Sequence, residues 1–399
     1  MNTEPRFIKS SCPYCGNAGV NHTATFLTGC IGLLVDPMIA GTVRHAPPFF
    51  ERLVDRIIAG FLYIFSLLGI ASFSDDMEKA LSHRSRVVWE EAKRRGIQMQ
   101  QVILAGKPLE FYRAKIGNKK WFYFQSLPIP PELIGDSDKW EDKILLKQAL
   151  RKADIPTPRF AEVSFFSRAN PQKLQKLFSA VGDTLIVKPT VGSRGRHTTT
   201  NIKTPEDLEK AIGIGRIIAP ALSVEEHLEG DVCRATVIDG VLAGFYRGSP
   251  AMILGDGKKN ILGLIEEKNN LRHERVMPIV VSEEIKEHIA RAGYSLSDVL
   301  PYGTELRLTY RTGRSHGGAT KEMIDELHPS FVPILERAAN TLKISVVGFD
   351  VIVPDPTKDA ASQRWGIIES NTLPFIDLHY FALEGKPRNI AGMIWDLCN

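Results

Sequence analysis

Two apolar, β-branched runs late in the chain carry the side chains best suited to chemistry. Residues 344–353 hold Asp350, and residues 365–374 hold Glu369 and Asn371. Runs of this kind are expected as buried strands. A polar loop, residues 354–359, joins them. Neighbouring strands would therefore bring three oxygen ligands together. Hard cations take oxygen ligands, and Mg²⁺ is usually held by a few carboxylates together with substrate phosphates. The competing reading of this stretch alone is a pair of solubilising charges at strand ends.

A second set of groups is suited to anions. Residues 184–189 read as a strand ending in Lys188, followed by Gly192, Ser193, Arg194, Gly195 and Arg196. Glycines let backbone N–H groups approach phosphate oxygens, and lysine supplies a point charge. The spacing is not that of a Walker loop. Flanking glycines and arginines suggest a lid that closes over phosphate, with a rigid hairpin as the alternative. Farther on, Asp239-Gly240 between alternating apolar runs marks a hairpin. Arg234 and Arg247 fall at the end of that hairpin away from its turn, where both could sit at one mouth of the sheet. The alternative is two exposed arginines. Near the start, Cys12-Pro13-Tyr14-Cys15 forms a knuckle-like turn. Zinc there would need two more ligands, for which His22 and Cys30 are the candidates; a redox pair or no function are the other readings.

Positioning these groups requires several layers. The 399 residues are enough for two or three domains. With 43% apolar and 24% charged residues the composition is that of a globular protein, and a net charge of +4 gives no case for nucleic acid. Five scattered cysteines argue against a secreted disulfide framework, and mostly polar opening residues give no signal peptide, so a cytoplasmic location is expected. Residues 57–73 form an uncharged run of about 17, the short limit for a spanning helix. Buried helices and a membrane-surface anchor are its two readings. We divide the chain into an N-terminal region 1–81 with apolar helices, a small α/β domain 82–139, and a larger unit 140–399.

The ordered set of motifs resembles the ATP-grasp superfamily of carboxylate–amine ligases. It resembles in particular the ATP-grasp domains of cyanophycin synthetase and of bifunctional glutathione synthetase. The residues carrying it are Asp142-Lys143, Lys188-Pro189 with its loop, Val224 to Gly230, Arg247-Gly248-Ser249-Pro250, Gly255-Asp256-Gly257-Lys258, Gly348-Phe349-Asp350, Glu369-Ser370-Asn371, and His379. The resemblance covers roughly residues 140–399 and implies an α+β fold in which two subdomains clasp ATP. It implies that Lys143 and Lys188 contact ATP phosphates and that Gly192, Ser193, Arg194, Gly195 and Arg196 close over them. Glu225, Glu226, His227 and Leu228 would be a hinge holding adenine through backbone groups. Asp350, Glu369 and Asn371 would hold Mg²⁺, with Mn²⁺ as a substitute. Arg247, with Arg234, would stabilise charge developing on the substrate, and Ser315, Gly317, Gly318 and His379 would face the acceptor.

Two departures stand out. Val232 occupies a place where the family often has a ribose-binding acid, with Asp231 one residue earlier, and Phe375 replaces a usual glycine. The expectation is an ADP-forming ligase of amino-acid or peptide substrates, with a homo-oligomer as one arrangement open to it. The alternative is a non-catalytic nucleotide-binding or membrane-associated scaffold.

Overall fold

The computed structural model describes residues 12, 14, 15, 21–31, 60–62, 64–134, 137–164, 170–191 and 196–398. The apolar run at 57–73 divides: residues 64–67 are helical, residues 68–70 turn at Gly69, and the chain then enters a strand, β1 (Ala71–Ser74). Phe61, Ile64, Leu67 and Leu68 are exposed while Leu62 is buried, so the described part of this run is not the fully buried helix of one of its two readings. Among the described residues, no helix is long and apolar enough to cross a membrane.

β1 opens an antiparallel meander with β2 (Gln98–Leu104), β3 (Lys107–Lys115) and β4 (Phe122–Phe124). The small sheet therefore begins upstream of residue 82. Helix His83–Arg94 lies on it, started by Ser82, whose hydroxyl accepts from the Ser85 N–H. Val88, Ala92 and Trp89 form its buried stripe. They pack with Tyr112 and Phe124, and also with Ile390, Ile394 and Trp395 of the C-terminal helix Ile390–Asp396. Trp395 Nε1 donates to Val88 O at 3.0 Å. The meander thus shares one core with the end of the chain rather than standing alone.

The next sheet combines β5 (Phe160–Val163), β6 (Leu185–Pro189), β7 (Thr199–Ile202) and β8 (Leu222–Glu226) in the order β5-β8-β6-β7. Helices Pro171–Val181 and Pro205–Arg216 cover one face, burying Leu174, Val181, Leu208 and Ile212 against Leu185, Val187 and Val224. Both helices carry proline in the first turn behind an Asn or Thr cap, the expected start signal.

Then come β9 (Asp231–Ile238) and β10 (Val241–Gly248), β11 (Pro250–Leu254) and β12 (Glu305–Thr312) as a separate pair, β13 (Thr320–Glu322), β14 (Val346–Val353) and β15 (Gly366–Asn371). The central sheet runs β13-β10-β9-β14-β15. Asp239 and Gly240 have φ of 49° and 76°, the positive pair that a two-residue hairpin demands. Helix Phe331–Leu342 backs this sheet, and Phe245, Phe331, Leu335, Phe349 and Trp365 form the centre of the core.

Candidate nucleotide and metal site

Three antiparallel strands place the acidic groups. In the ladders, Arg234 on β9 stands opposite Asp350 on β14, and Asp350 stands opposite Glu369 on β15. Direct cross-strand partners share a face, so the three side chains form a row. Gly348, two residues before Asp350 and opposite Asn371, is required here: a Cβ would lie 2.9 Å from Arg234 Cδ and 2.8 Å from Pro374. Arg234 Nε donates to Asp350 Oδ1 at 2.6 Å. Burial raises the Asp350 pKa despite that guanidinium, and the neighbouring Glu369 adds to the rise. Arg234 Nη1 and Asn371 Nδ2 are buried with no hydrogen-bond partner among the described residues.

A bulge follows in the β14–β15 pairing, where Asp350 faces Glu369 but Val351 faces Ile367. The extra residue, Ile368, turns its carbonyl to Lys147 Nζ at 3.2 Å. Helix Lys143–Lys152 supplies the opposite wall. Asp142 caps it, accepting from the Ile144 and Leu145 N–H groups. Lys143, Leu146, Lys147 and Leu150 share its inner face and are all buried, so charges that look like a solvated face are turned inward.

The lysines meet one carboxylate. Glu225 on β8 is 2.9 Å from Lys147 Nζ through Oε1 and 3.0 Å from Lys188 Nζ through Oε2. Burial alone would raise the Glu225 pKa, but Lys147 and Lys188 together bring it down to about 2. Burial lowers Lys147 to about 7, against the pull of Glu225. Lys143 is 1% exposed, and its Nζ stands 3.6 Å from Glu369 Oε1, beyond hydrogen-bond range. Its ammonium has no hydrogen-bond partner among the described residues, and burial lowers its pKa. Three buried ammonium groups facing one buried carboxylate and one half-exposed Glu369 leave an excess of positive charge beside oxygen ligands. That is the arrangement a polyphosphate with a hard cation requires.

The remaining sequence-derived residues fall in several places. Gly192, Ser193, Arg194 and Gly195 lie outside the described residues. Arg196 is half-buried just after them. In the expected hinge, Glu225 points into the lysine cluster, while the Glu226 N–H donates to Arg159 O and the His227 N–H to Thr184 O. Those two donors are spent within the protein, which leaves Leu228 as the hinge residue whose N–H is not so engaged among the described residues. Glu226 pairs with Arg364 at 2.5 Å and Arg159 at 3.3 Å. Burial opposes its ionisation, but these arginines hold its pKa at about 2.

Arg234 and Arg247 both lie at the end of the hairpin away from its turn but on opposite faces of the sheet: Arg234 stands opposite Tyr246, and Arg247 opposite Cys233. Only Arg234 joins the row. Arg247 instead grips Asp231 Oδ2 through Nε at 2.8 Å and Nη2 at 2.6 Å. Asp231 is 3% exposed and also accepts from Ser249 Oγ, so it is not placed to bind ribose. The resemblance has His379 facing the acceptor. It is fully buried, with Nδ1 2.5 Å from Glu322 Oε2 and Nε2 2.8 Å from Thr236 Oγ1. Ser315 is exposed, whereas Gly317 and Gly318 are buried against Ile279 and Ser249 O, where no Cβ fits. These two glycines also line a cavity of about 440 Å³ together with Met252, Leu264, Lys268 and Asn269. Sequence reasoning missed Lys147, although its spacing of four from Lys143 on a face with Leu146 and Leu150 was a signal.

No protein-family model matches the chain. It is 28% identical over 263 residues to cyanophycin synthetase of Trichormus variabilis, covering 64% of this chain and 29% of that protein. It is 27% identical over 331 residues to the glutathione biosynthesis bifunctional protein of Listeria monocytogenes, covering 81% of this chain and 41% of that one. The chain thus spans less than half the length of these curated relatives. A bifunctional glutathione synthetase from Pasteurella multocida superposes with a TM-score of 0.54 at 21% identity, over 80% of this chain and 44% of that one. The likeness to that structure is one of fold.

Proposed function

We propose that this chain, which has the ATP-grasp fold and resembles carboxylate–amine ligases of that superfamily, is itself an ATP- and Mg²⁺-dependent ligase that joins a carboxylate to an amine. The observation that carries the proposal is the buried, hydrogen-bond-deficient Lys143 ammonium beside Glu369, with Asp350 and Asn371 alongside. A buried ammonium without acceptors is costly unless a ligand supplies them. The oxygen donors Asp350, Glu369 and Asn371 suit a hard cation. These three residues would hold that cation, which would supply neutralisation of phosphate charge.

In this reading Lys143 and Lys188 bind phosphate oxygens, and Glu225 holds Lys188 and Lys147 in place. The substrate carboxylate oxygen attacks the γ-phosphorus, the bond to the bridging oxygen breaks, and ADP leaves. The amine then attacks the acyl carbon and expels phosphate, losing its proton. Arg234, with Nη1 unpartnered, is the arginine poised to meet charge developing on the transferring groups. This reassigns to Arg234 the role expected of Arg247. The substrates are amino acids or peptides, as the names of the curated relatives suggest by analogy.

The test is ADP and phosphate release across a panel of amino acids and dipeptides, with AMP and pyrophosphate measured in parallel. Acceptor-stimulated ADP formation is expected, and Glu369→Gln should lower it by about 100-fold or more while the circular dichroism spectrum is kept. No stimulation by any pair would favour a non-catalytic nucleotide-binding protein.

A further inference from the structure

Among the described residues, and apart from the nucleotide site, one group of ligand-type side chains converges. Cys12 and Cys15 flank a tight turn in which the Cys15 N–H donates to Cys12 O at 3.3 Å. His22 begins the helical stretch 22–31. His197, 182 positions beyond Cys15, lies just before β7. The sulfur and ring-nitrogen atoms of these four residues all lie within 4.8 Å of one another. Cys15 Sγ is 3.0 Å from His22 Nε2 and 3.3 Å from His197 Nε2, and Cys12 Sγ is 3.8 Å from His197 Nε2. A tetrahedral zinc ion with ordinary bond lengths sets sulfur and nitrogen ligands about 3.5 Å apart. The observed separations bracket that value.

The surroundings point the same way. His197 Nδ1 is 2.8 Å from Ile214 O, and a carbonyl can only accept. Nδ1 therefore carries a proton, and in the neutral ring Nε2 presents its lone pair toward the sulfurs, the tautomer of a metal-binding histidine. Cys15 and His197 are 2% and 1% exposed. The His22 and His197 rings meet edge to face at 5.1 Å. His197 adopts φ of 49°, rare outside glycine, while its N–H donates to Tyr14 O at 3.0 Å. A thiol–imidazole hydrogen bond would account for one pair of these groups. It does not account for four meeting at one point, two of them buried.

We infer that Cys12, Cys15, His22 and His197 bind one zinc ion in a closed Cys₂His₂ site. Four protein ligands leave no open position, so the ion is structural. His197 takes the place that Cys30 was expected to fill. The ion fastens the N-terminal knuckle to the chain entering β7, and through Ile214 to helix Pro205–Arg216. It clamps the downstream end of the segment that also begins at Thr190, whose carbonyl accepts from the Lys143 N–H. The inference does not depend on ligase activity.

The experiment is elemental analysis of the full chain purified under reducing conditions without chelator. About one zinc per chain is expected. After removal of zinc, Co²⁺ should give the visible d–d bands of a tetrahedral site and near-ultraviolet thiolate charge-transfer bands. Cys15→Ser and His197→Ala should lose most of the zinc, and Cys30→Ser should keep it. His197→Cys, which restores a ligand, should retain the ion and so separates a lost ligand from a lost fold. A wild-type chain that takes up neither Zn²⁺ nor Co²⁺, or a Cys30→Ser variant that loses zinc while His197→Ala keeps it, would overturn the assignment.

Discussion

Two polar clusters are buried to the same depth and are built on different terms. Around His379 every group is matched: Glu322 takes the imidazole on Oε2 and the N–H groups of Phe245 and Ile324 on Oε1, and Thr236 meets the other ring nitrogen. Gly244 gives the ring its room, since a Cβ there would lie 2.5 Å from His379 Nδ1. Around Lys143, three ammonium groups share Glu225 and the half-exposed Glu369, and one ammonium has no hydrogen bond among the described residues. A satisfied buried network holds a fold in place, whereas an unsatisfied one holds energy that a ligand can recover. Histidine is more often associated with catalysis than lysine, yet here the buried histidine is fully matched and the lysine is not.

The strongest challenge to that contrast is Lys143→Met. Acceptor-stimulated ADP release should fall by about 100-fold or more. Unfolding free energy should at the same time rise by about 1–2 kcal/mol, because a buried ammonium with no hydrogen bond among the described residues is replaced by an apolar chain of similar length. A loss of stability alongside the loss of activity would show that the ammonium is already satisfied. His379→Ala is the opposite case: about 3 kcal/mol of stability should go, since Glu322 is left buried without its partner. Those molecules that remain folded should keep their KM for ATP, as read from urea denaturation and steady-state kinetics on one preparation.

A third prediction concerns the rim. The Glu226 carboxyl is held at about 2 in the folded chain against an ordinary 4.5. A depressed carboxyl contributes its full stabilisation above its unfolded pKa and loses it as the pH falls toward the folded one. The Glu226–Arg364–Arg159 contact should therefore weaken between pH 4.5 and about 2. Glu226→Gln should flatten the acid limb of thermal stability over that window. An unchanged limb would mean that the arginines do not hold the carboxylate in solution. The smallest effect is expected at Phe375, over whose ring Arg84 stands at 5.1 Å. Arg84 also donates to Leu373 O and to Ser126 Oγ, linking the meander to the loop after β15. Phe375→Ala should cost about 0.5–1 kcal/mol and leave turnover nearly intact. A large loss of turnover would place Phe375 in the acceptor pocket instead.

Much of the site was legible in the residues alone. Asp350, Glu369 and Asn371 announce themselves as polar groups within apolar runs, and the Asp239-Gly240 turn is a matter of local backbone sterics. Lys188 at a strand end before glycines needs only the pattern. What local pattern could not supply was parity and depth. The shift between Leu242 and Gly244 in the β9–β10 pairing inserts one residue, which sends Arg247 to the face opposite Arg234. A side-chain period of two makes any single insertion reverse every face beyond it, and nothing near the arginines reports the insertion. Depth is likewise a property of what packs on top. The lysine spacing on helix Lys143–Lys152 suits solvent or core equally, and the covering β8 and β15 made it core. The same holds for His197, whose meeting with Cys12 and Cys15 required the chain to return across 182 positions. Sequence determined which groups could do chemistry; tertiary structure decided which of them were left with unmet charge and which were already satisfied, because satisfaction depends on neighbours distant in the chain.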